Sequence, residues 1–130
     1  MVGLVVVAHA GLARELLNAA EMIVGTIDCS EAIGIGSGDS AELIMENVQK
    51  AIDKVSRNGV IIMTDMFGGT PSNLSLSFLR ENEVEVLTGV NLPMLMKFAS
   101  DRDKLGVSEL ASALKKCAQE SISVAGEYLK

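Results

Sequence analysis

Two side chains capable of group-transfer chemistry stand at the ends of apolar runs in this sequence. His9, the only histidine, closes the run 2–8, and Asp65 closes the run 59–63. Imidazole is the side chain that exchanges a proton near neutral pH and can act as a nucleophile. If the two runs are neighbouring strands, the Asp65 carboxylate can bond one ring nitrogen of His9 and leave the other as a nucleophile.

Each residue also has a purely structural interpretation. A histidine at a strand end can cap a nearby carbonyl, and an aspartate in that place often bonds its own backbone in a turn. The carboxyl ends of parallel strands meet at one edge of a sheet, where ligands bind. The loops expected at that edge are 9–11, 36–39, 65–70 and 89–91. Placement of His9 and Asp65 at this common edge favours the functional interpretation.

The motif TDMFGGTPSN, residues 64–73, reads as a strand end, a glycine turn and a helix start. Thr70 is a natural N-cap, and Pro71 suits a first helical turn. Gly68, Gly69 and Thr70 therefore offer main-chain donors and a hydroxyl to an anion such as a phosphoryl group. The same turn can also be purely structural. It is not a Walker A loop, because no lysine follows the glycines.

Apolar runs alternate with amphipathic segments along the chain. Strands are predicted over 2–8, 32–36, 59–65 and 84–88. Helices are predicted from Leu12 to Gly25, from a cap at Ser40 to about Asn58, and from Pro71 to about Arg80. Two more are predicted over 92–100 from a cap at Asn91 and from a cap at Ser108. Gly34 and Gly36 are interpreted as packing or edge-strand glycines, and the charged run 100–104 as a solvated connection. This alternation predicts an α/β fold with an open, doubly wound, mostly parallel sheet and helices on both faces.

Composition excludes several classes of protein. A net charge of −6, one tyrosine and no tryptophan disfavour nucleic acid as a partner. The length of 130 residues predicts a single domain, 1–130. No apolar run approaches the roughly 20 residues of a membrane span, and no signal peptide is apparent, so a cytoplasmic protein is expected. Cys29 and Cys117 have no metal-ligand spacing and are interpreted as inert thiols, and neither a metal nor a cofactor is expected.

Three segments together resemble a known family. VVVAHAGLA at 5–13, TDMFGGTPSN at 64–73 and TGVNLPML at 88–95 are similar to the IIA domain of the mannose family of the bacterial sugar phosphotransferase system. The resemblance implies a phosphocarrier that takes a phosphoryl group from phosphorylated HPr and passes it to a IIB domain. It also implies which positions here carry that role.

By this resemblance the phosphorylated histidine falls on His9, and the aspartate that holds its other ring nitrogen falls on Asp65. The phosphate-contacting turn falls on Gly68, Gly69 and Thr70, and a partner-docking surface includes Met66 and Phe67. Because the chain stops at Lys130, the IIB acceptor is expected to be a separate protein, with peripheral association with membrane permease components.

The family further implies a homodimer in which an antiparallel fifth strand is exchanged, mapping to 121–127. Taken alone, the tail SISVA at 121–125 fits either a continued helix or a strand. Two other functions stay open at this point. One is a regulatory module of the dihydroxyacetone kinase type, in which phosphorylation of His9 is only a signal. The other is a flavodoxin-type fold that holds a nucleotide or flavin.

Overall fold

The computed structural model describes residues 1–66 and 68–129. Its strands are β1 (Gly3–His9), β2 (Ser30–Ile35), β3 (Val60–Thr64) and β4 (Val84–Thr88). Its α-helices are α1 (Leu12–Val24), α2 (Ala41–Val55), α3 (Thr70–Ser75), α4 (Leu92–Asp101) and α5 (Val107–Glu120). Short 3-10 helices occupy Leu76–Phe78 and Ala125–Leu129.

The four strands form one parallel sheet in the order β2-β1-β3-β4. The chain moves from β1 to β2 on one side and then crosses to β3 on the other side of β1. The strand order therefore reverses between β1 and β3, which is where ligands bind in sheets of this kind. His9 ends β1 and Asp65 follows β3, so both flank this point.

Alternating residues of β1 supply two separate cores. Leu4, Val6 and Ala8 pack with residues of α1, α4 and α5, whereas Val5 and Val7 pack with residues of α2. All five side chains are fully buried, as the unbroken apolar run requires of a strand covered on both faces. The predicted α/β fold with helices on both faces is confirmed, and β1 is a rigid base for His9.

Several predicted helix boundaries are confirmed. The Ser40 side chain accepts a hydrogen bond from the Leu43 N–H, and the Asn91 side chain accepts one from the Met94 N–H. Gly25 ends α1 with a φ of 85°, a left-handed conformation that glycine adopts without strain. The side chains of Ser40 and Asn91 satisfy N–H groups that have no partner inside a helix.

Other boundaries differ from the prediction. Thr70 is the first residue of α3 rather than its cap, because Gly69 takes the extended cap conformation instead. The helix does not reach Arg80, since the backbone of Arg80 hydrogen-bonds that of Val84 and turns the chain into β4. The predicted cap at Ser108 is also wrong, because Gly106 occupies the cap position and Ser108 is the second residue of α5.

The predicted solvated connection at 100–104 is wrong at Arg102, which is 6% exposed. Its Nε and Nη2 donate to the Val2 carbonyl at 3.0 and 2.7 Å, and its guanidinium lies 4.8 Å from the centre of the Phe98 ring. Burial lowers the pKa of Arg102 from its ordinary value. The guanidinium therefore joins the end of α4 to the start of β1.

The tail is not a strand in this chain. After α5 ends, no regular element covers 121–124, and Ala125–Leu129 form the second 3-10 helix. Ile122, Tyr128 and Leu129 are largely exposed. A strand needs a partner edge for its hydrogen bonds, and within residues 1–66 and 68–129 only four strands pair. The exchange of a fifth strand between subunits stays a prediction.

Candidate functional site

His9 and Asp65 lie in direct contact although 56 positions separate them. The Asp65 Oδ2 accepts a hydrogen bond from the His9 backbone N–H at 3.0 Å and lies 2.7 Å from the ring Nδ1. An ionised carboxylate only accepts hydrogen bonds, so Nδ1 carries the proton. The lone pair of the neutral ring is then on Nε2, which makes Nε2 the nucleophilic atom.

The environments of the two side chains differ. The His9 side chain is 50% exposed, whereas that of Asp65 is 12% exposed. Burial acts to raise the pKa of Asp65, but hydrogen bonds from the backbone and ring of His9, together with the charge of that ring, outweigh it and lower the pKa below its ordinary value. The Asp65 Oδ1 also accepts from the Met66 N–H at 3.0 Å. Asp65 is therefore fixed and ionised at neutral pH.

The glycine turn lies against the His9 ring. A Cβ on Gly69 would lie 3.2 Å from both the His9 Cε1 and the Met66 Cγ, so the missing side chain permits this close approach. Gly68 has a φ of 84°, and its carbonyl accepts a hydrogen bond from the Asn73 side chain at 3.4 Å. The turn thus holds backbone next to the ring, as a phosphate-binding turn requires.

An open cleft of about 560 Å³ lies in front of the ring. Its lining includes His9, Ala10, Ile35, Asp39 and Thr70. Among the described lining residues there is no lysine or arginine, and the Asp39 Oδ2 is held by the Gly36 N–H at 2.8 Å. The cleft therefore gives a second molecule access to His9 but supplies no cationic side chain of its own.

The structure brings the predicted residues His9, Asp65, Gly69 and Thr70 to one place, with Gly68 in the adjoining turn. Met66 is 54% exposed nearby; Phe67, the other predicted docking residue, lies outside the described residues. Their functional roles stay predictions.

Sequence reasoning missed two neighbours of the site. Asn73 anchors the glycine turn, and Asp39 lines the cleft. An amide in a first helical turn was a signal for Asn73. Asp39 ends the loop 36–39, which was expected at this edge but was given no role.

Fold and site define an α/β protein with a carboxylate-oriented histidine at the switch point of a parallel sheet. A family model described as "PTS system fructose IIA component" matches residues 3–115. The chain belongs to this family of IIA components of the sugar phosphotransferase system, which confirms the resemblance to mannose-family IIA domains. The members of this family are phosphotransferase carriers, and membership implies interaction with HPr and IIB components.

Similar proteins and solved structures agree with this family assignment. The chain is 29% identical to the fructose-specific EIIA component of Bacillus subtilis, with 100% of this chain and 90% of that one covered. It is 30% identical to the sorbose-specific EIIA component of Lacticaseibacillus casei, with 90% and 86% covered.

Two crystal structures match nearly the whole fold. An EIIA component from Streptococcus agalactiae matches with a TM-score of 0.89 at 25% identity, covering 98% of this chain and 99% of that one. A PTS IIA protein associated with the fucose utilization operon of Streptococcus pneumoniae matches at 0.85 and 30%, covering 98% and 96%. Across the described residues, no helix has the length and apolar character needed to span a membrane.

Proposed function

We propose that the Nε2 of His9 accepts a phosphoryl group from phosphorylated HPr and transfers it to a separate IIB protein during sugar uptake. The observation that carries this proposal is the 2.7 Å contact between the Asp65 Oδ2 and the His9 Nδ1. It selects the ring tautomer with a lone pair on Nε2. It also positions a negative charge where the phosphorylated imidazole becomes positive.

The proposed step conserves atoms and charge. The lone pair on Nε2 attacks the phosphorus atom in line while the bond between phosphorus and the donor group of HPr breaks. The donor leaves with that electron pair, and the proton on Nδ1 of His9 stays in its hydrogen bond to Asp65. Backbone N–H groups of the turn 68–70 face charge on the equatorial phosphoryl oxygens. Transfer to IIB reverses these roles.

The exposure of the site supports exchange between proteins. A carrier must present the same ring to a donor and then to an acceptor, and half of the His9 side chain is open to solvent. Met66 is exposed beside it, and we assign Met66 and Phe67 to the docking surface. We place this exchange in the cytoplasm, within one phosphotransferase domain that covers 1–130.

Incubation with phosphoenolpyruvate, enzyme I and HPr, followed by intact mass measurement, tests the first half of the proposal. One acid-labile phosphoryl adduct is expected on the wild-type protein and none on His9→Gln, which keeps a similar volume and hydrogen-bonding capacity. Because the chain has a single histidine, an adduct that survives this substitution contradicts the assignment.

Onward transfer is tested separately. Purified phosphorylated protein is mixed with a IIB protein, and rapid movement of the label to IIB is expected. A label that stays on His9 with every IIB protein tried would contradict the transport role and leave phosphorylation as a signal.

We also propose that two copies form a homodimer by exchange of the tail 121–127 as an antiparallel strand. β4 lies at the edge of the sheet, and its Val86 N–H donates to the neighbouring Glu85 side chain at 3.0 Å. An open cavity of about 410 Å³ beside β4 includes Val86 and Ile122 in its lining. Sedimentation of the full chain is expected to give a dimer, and truncation after Glu120 a monomer. A dimer that persists after truncation refutes the exchange.

A further inference from the structure

The backbone next to His9 adopts an unusual conformation. Ala10 has a φ of 52°, in the left-handed region that residues other than glycine rarely occupy. Its N–H donates to the Ile35 carbonyl at 2.9 Å. The Ala10 carbonyl oxygen lies close to Gly34 of β2. A Cβ on Gly34 would lie 2.3 Å from that oxygen. The strained turn therefore fits only because position 34 has no side chain.

We propose that Gly34 is a positioning residue for His9, and that it acts through the backbone of Ala10. Real Cβ contacts essentially never fall below 3.0 Å, so a methyl group at position 34 must displace the Ala10 carbonyl, or β2, by about 0.7 Å. Ala10 directly follows His9 in the chain. The Ala10 carbonyl belongs to the peptide between Ala10 and Gly11, so its displacement reaches His9 through the Ala10 Cα, which that peptide shares with the peptide between His9 and Ala10.

His9 is sensitive to such a shift because its backbone and its ring share one acceptor. The backbone N–H and the ring Nδ1 both contact the Asp65 Oδ2, at 3.0 and 2.7 Å. Hydrogen bonds weaken quickly as distance and angle depart from these values. A displaced turn is therefore expected to loosen the ring from Asp65 and to release the tautomer that the carboxylate selects.

Gly36 provides a matched control two positions further along the same segment. Its φ lies outside the left-handed region, and the three atoms nearest to a Cβ there would belong to the Asp39 side chain, at 3.5 to 3.7 Å. These are ordinary contacts, so Gly36→Ala makes the same chemical change without moving the Ala10 carbonyl. Any effect common to both variants reports the general loss of a glycine, and any effect of Gly34→Ala alone reports the close approach.

The experiment uses the His9 ring as its own probe. Long-range ¹H–¹⁵N spectra of the uniformly labelled protein show a single imidazole because the chain has one histidine. In the wild-type protein and in Gly36→Ala, the neutral ring is expected to hold its proton on Nδ1. In Gly34→Ala, the fraction with the proton on Nε2 is expected to rise. In that variant the pKa of Asp65, followed by its ¹³C carboxyl shift, is expected to move back up towards its ordinary value.

The double variant Ala10→Gly/Gly34→Ala tests the route through Ala10. Glycine at position 10 can turn its carbonyl away without strain, so a ring spectrum closer to that of the wild type is expected. A folded Gly34→Ala protein with wild-type His9 and Asp65 spectra would overturn the proposal. So would a double variant that folds with no recovery. If Gly34→Ala fails to fold, a double variant that folds with a wild-type ring spectrum supports the proposal, and one that also fails to fold overturns it.

The consequence for rate rests on the proposed function. Phosphorylation of Gly34→Ala by phosphorylated HPr is expected to be roughly 10- to 100-fold slower, as for other displacements of a reacting group by about 1 Å. The spectra require no phosphorylation. A protein that is never phosphorylated but shows the expected tautomer shift would refute the proposed function and leave the role of Gly34 intact.

Discussion

Removal of the Asp65 carboxylate is expected to slow phosphoryl transfer to His9 by about 10- to 150-fold. The ring Nδ1 donates to the Asp65 Oδ2 at 2.7 Å, and this hydrogen bond strengthens as the phosphorylated ring gains positive charge. A hydrogen bond to a charged group contributes about 1.5–3 kcal/mol, which corresponds to this range of rates when it acts in the transition state. Asp65→Ala loses the charge and the acceptor together.

Rapid-quench measurement with labelled phosphorylated HPr gives the rate, and the reverse reaction gives the rate of return. Asp65→Asn separates two contributions, because its amide oxygen can still accept from the ring but carries no charge. Its rate is expected to lie between those of the wild type and Asp65→Ala. Asp53→Asn makes the same change on the exposed surface of α2, where the side chain accepts a hydrogen bond from Gln49 at 2.9 Å. Its rate is expected to match the wild type.

A transfer rate within twofold of the wild type in a folded Asp65→Ala protein would refute this reasoning. The fold needs an independent check, because Asp65 also accepts the backbone N–H groups of His9 and Met66. Equal unfolding midpoints of Asp65→Ala and Asp65→Asn, combined with different transfer rates, would locate the effect in the chemistry. A loss of rate that parallels a loss of folded protein would locate it in the structure.

Three further predictions concern stability. The fold lowers the pKa of Asp65. The free energy of unfolding lost in Asp65→Ala is therefore expected to be constant above the ordinary pKa of 3.8 and to shrink as the pH falls below it. Urea unfolding between about pH 6 and about pH 3 measures this dependence. Arg102→Met is expected to reduce the free energy of unfolding by about 1–3 kcal/mol in the same assay, because the Val2 carbonyl loses two donors. Gly59→Ala is expected to cost about 1–3 kcal/mol by thermal or urea unfolding, since its Cβ would lie 2.3 Å from the Val107 side chain at a φ of 92°.

The contact between His9 and Asp65 could be predicted because it follows from general rules of sheet topology. Apolar runs at 2–8 and 59–63 predict buried parallel strands, and the carboxyl ends of such strands lie at one edge of the sheet. The only additional condition was that the two strands be neighbours, which they are. The local signals for Ser40 and Asn91 also held, because a cap depends on residues within one turn.

Features that depend on distant backbone could not be predicted. Arg102 stands in a charged run, and the Val2 carbonyl to which its buried guanidinium donates lies 100 positions away. The left-handed conformation of Ala10 is equally hidden, because the space it needs is provided by Gly34 on another strand. The pattern of the tail 121–125 fits a helix and a strand alike, because its apolar positions suit both spacings.

The unequal exposure of His9 and Asp65 fits the proposed exchange with two partners. Asp65 is shielded, so water competes little for its hydrogen bond to the ring, and the bond keeps most of its strength. His9 also lines an open cleft with no cationic side chain among its described lining residues. In the proposed function, orientation of the ring comes from inside the protein, and we expect it to be the same for donor and acceptor. We expect the backbone of the turn and the partner to neutralise the phosphoryl charge.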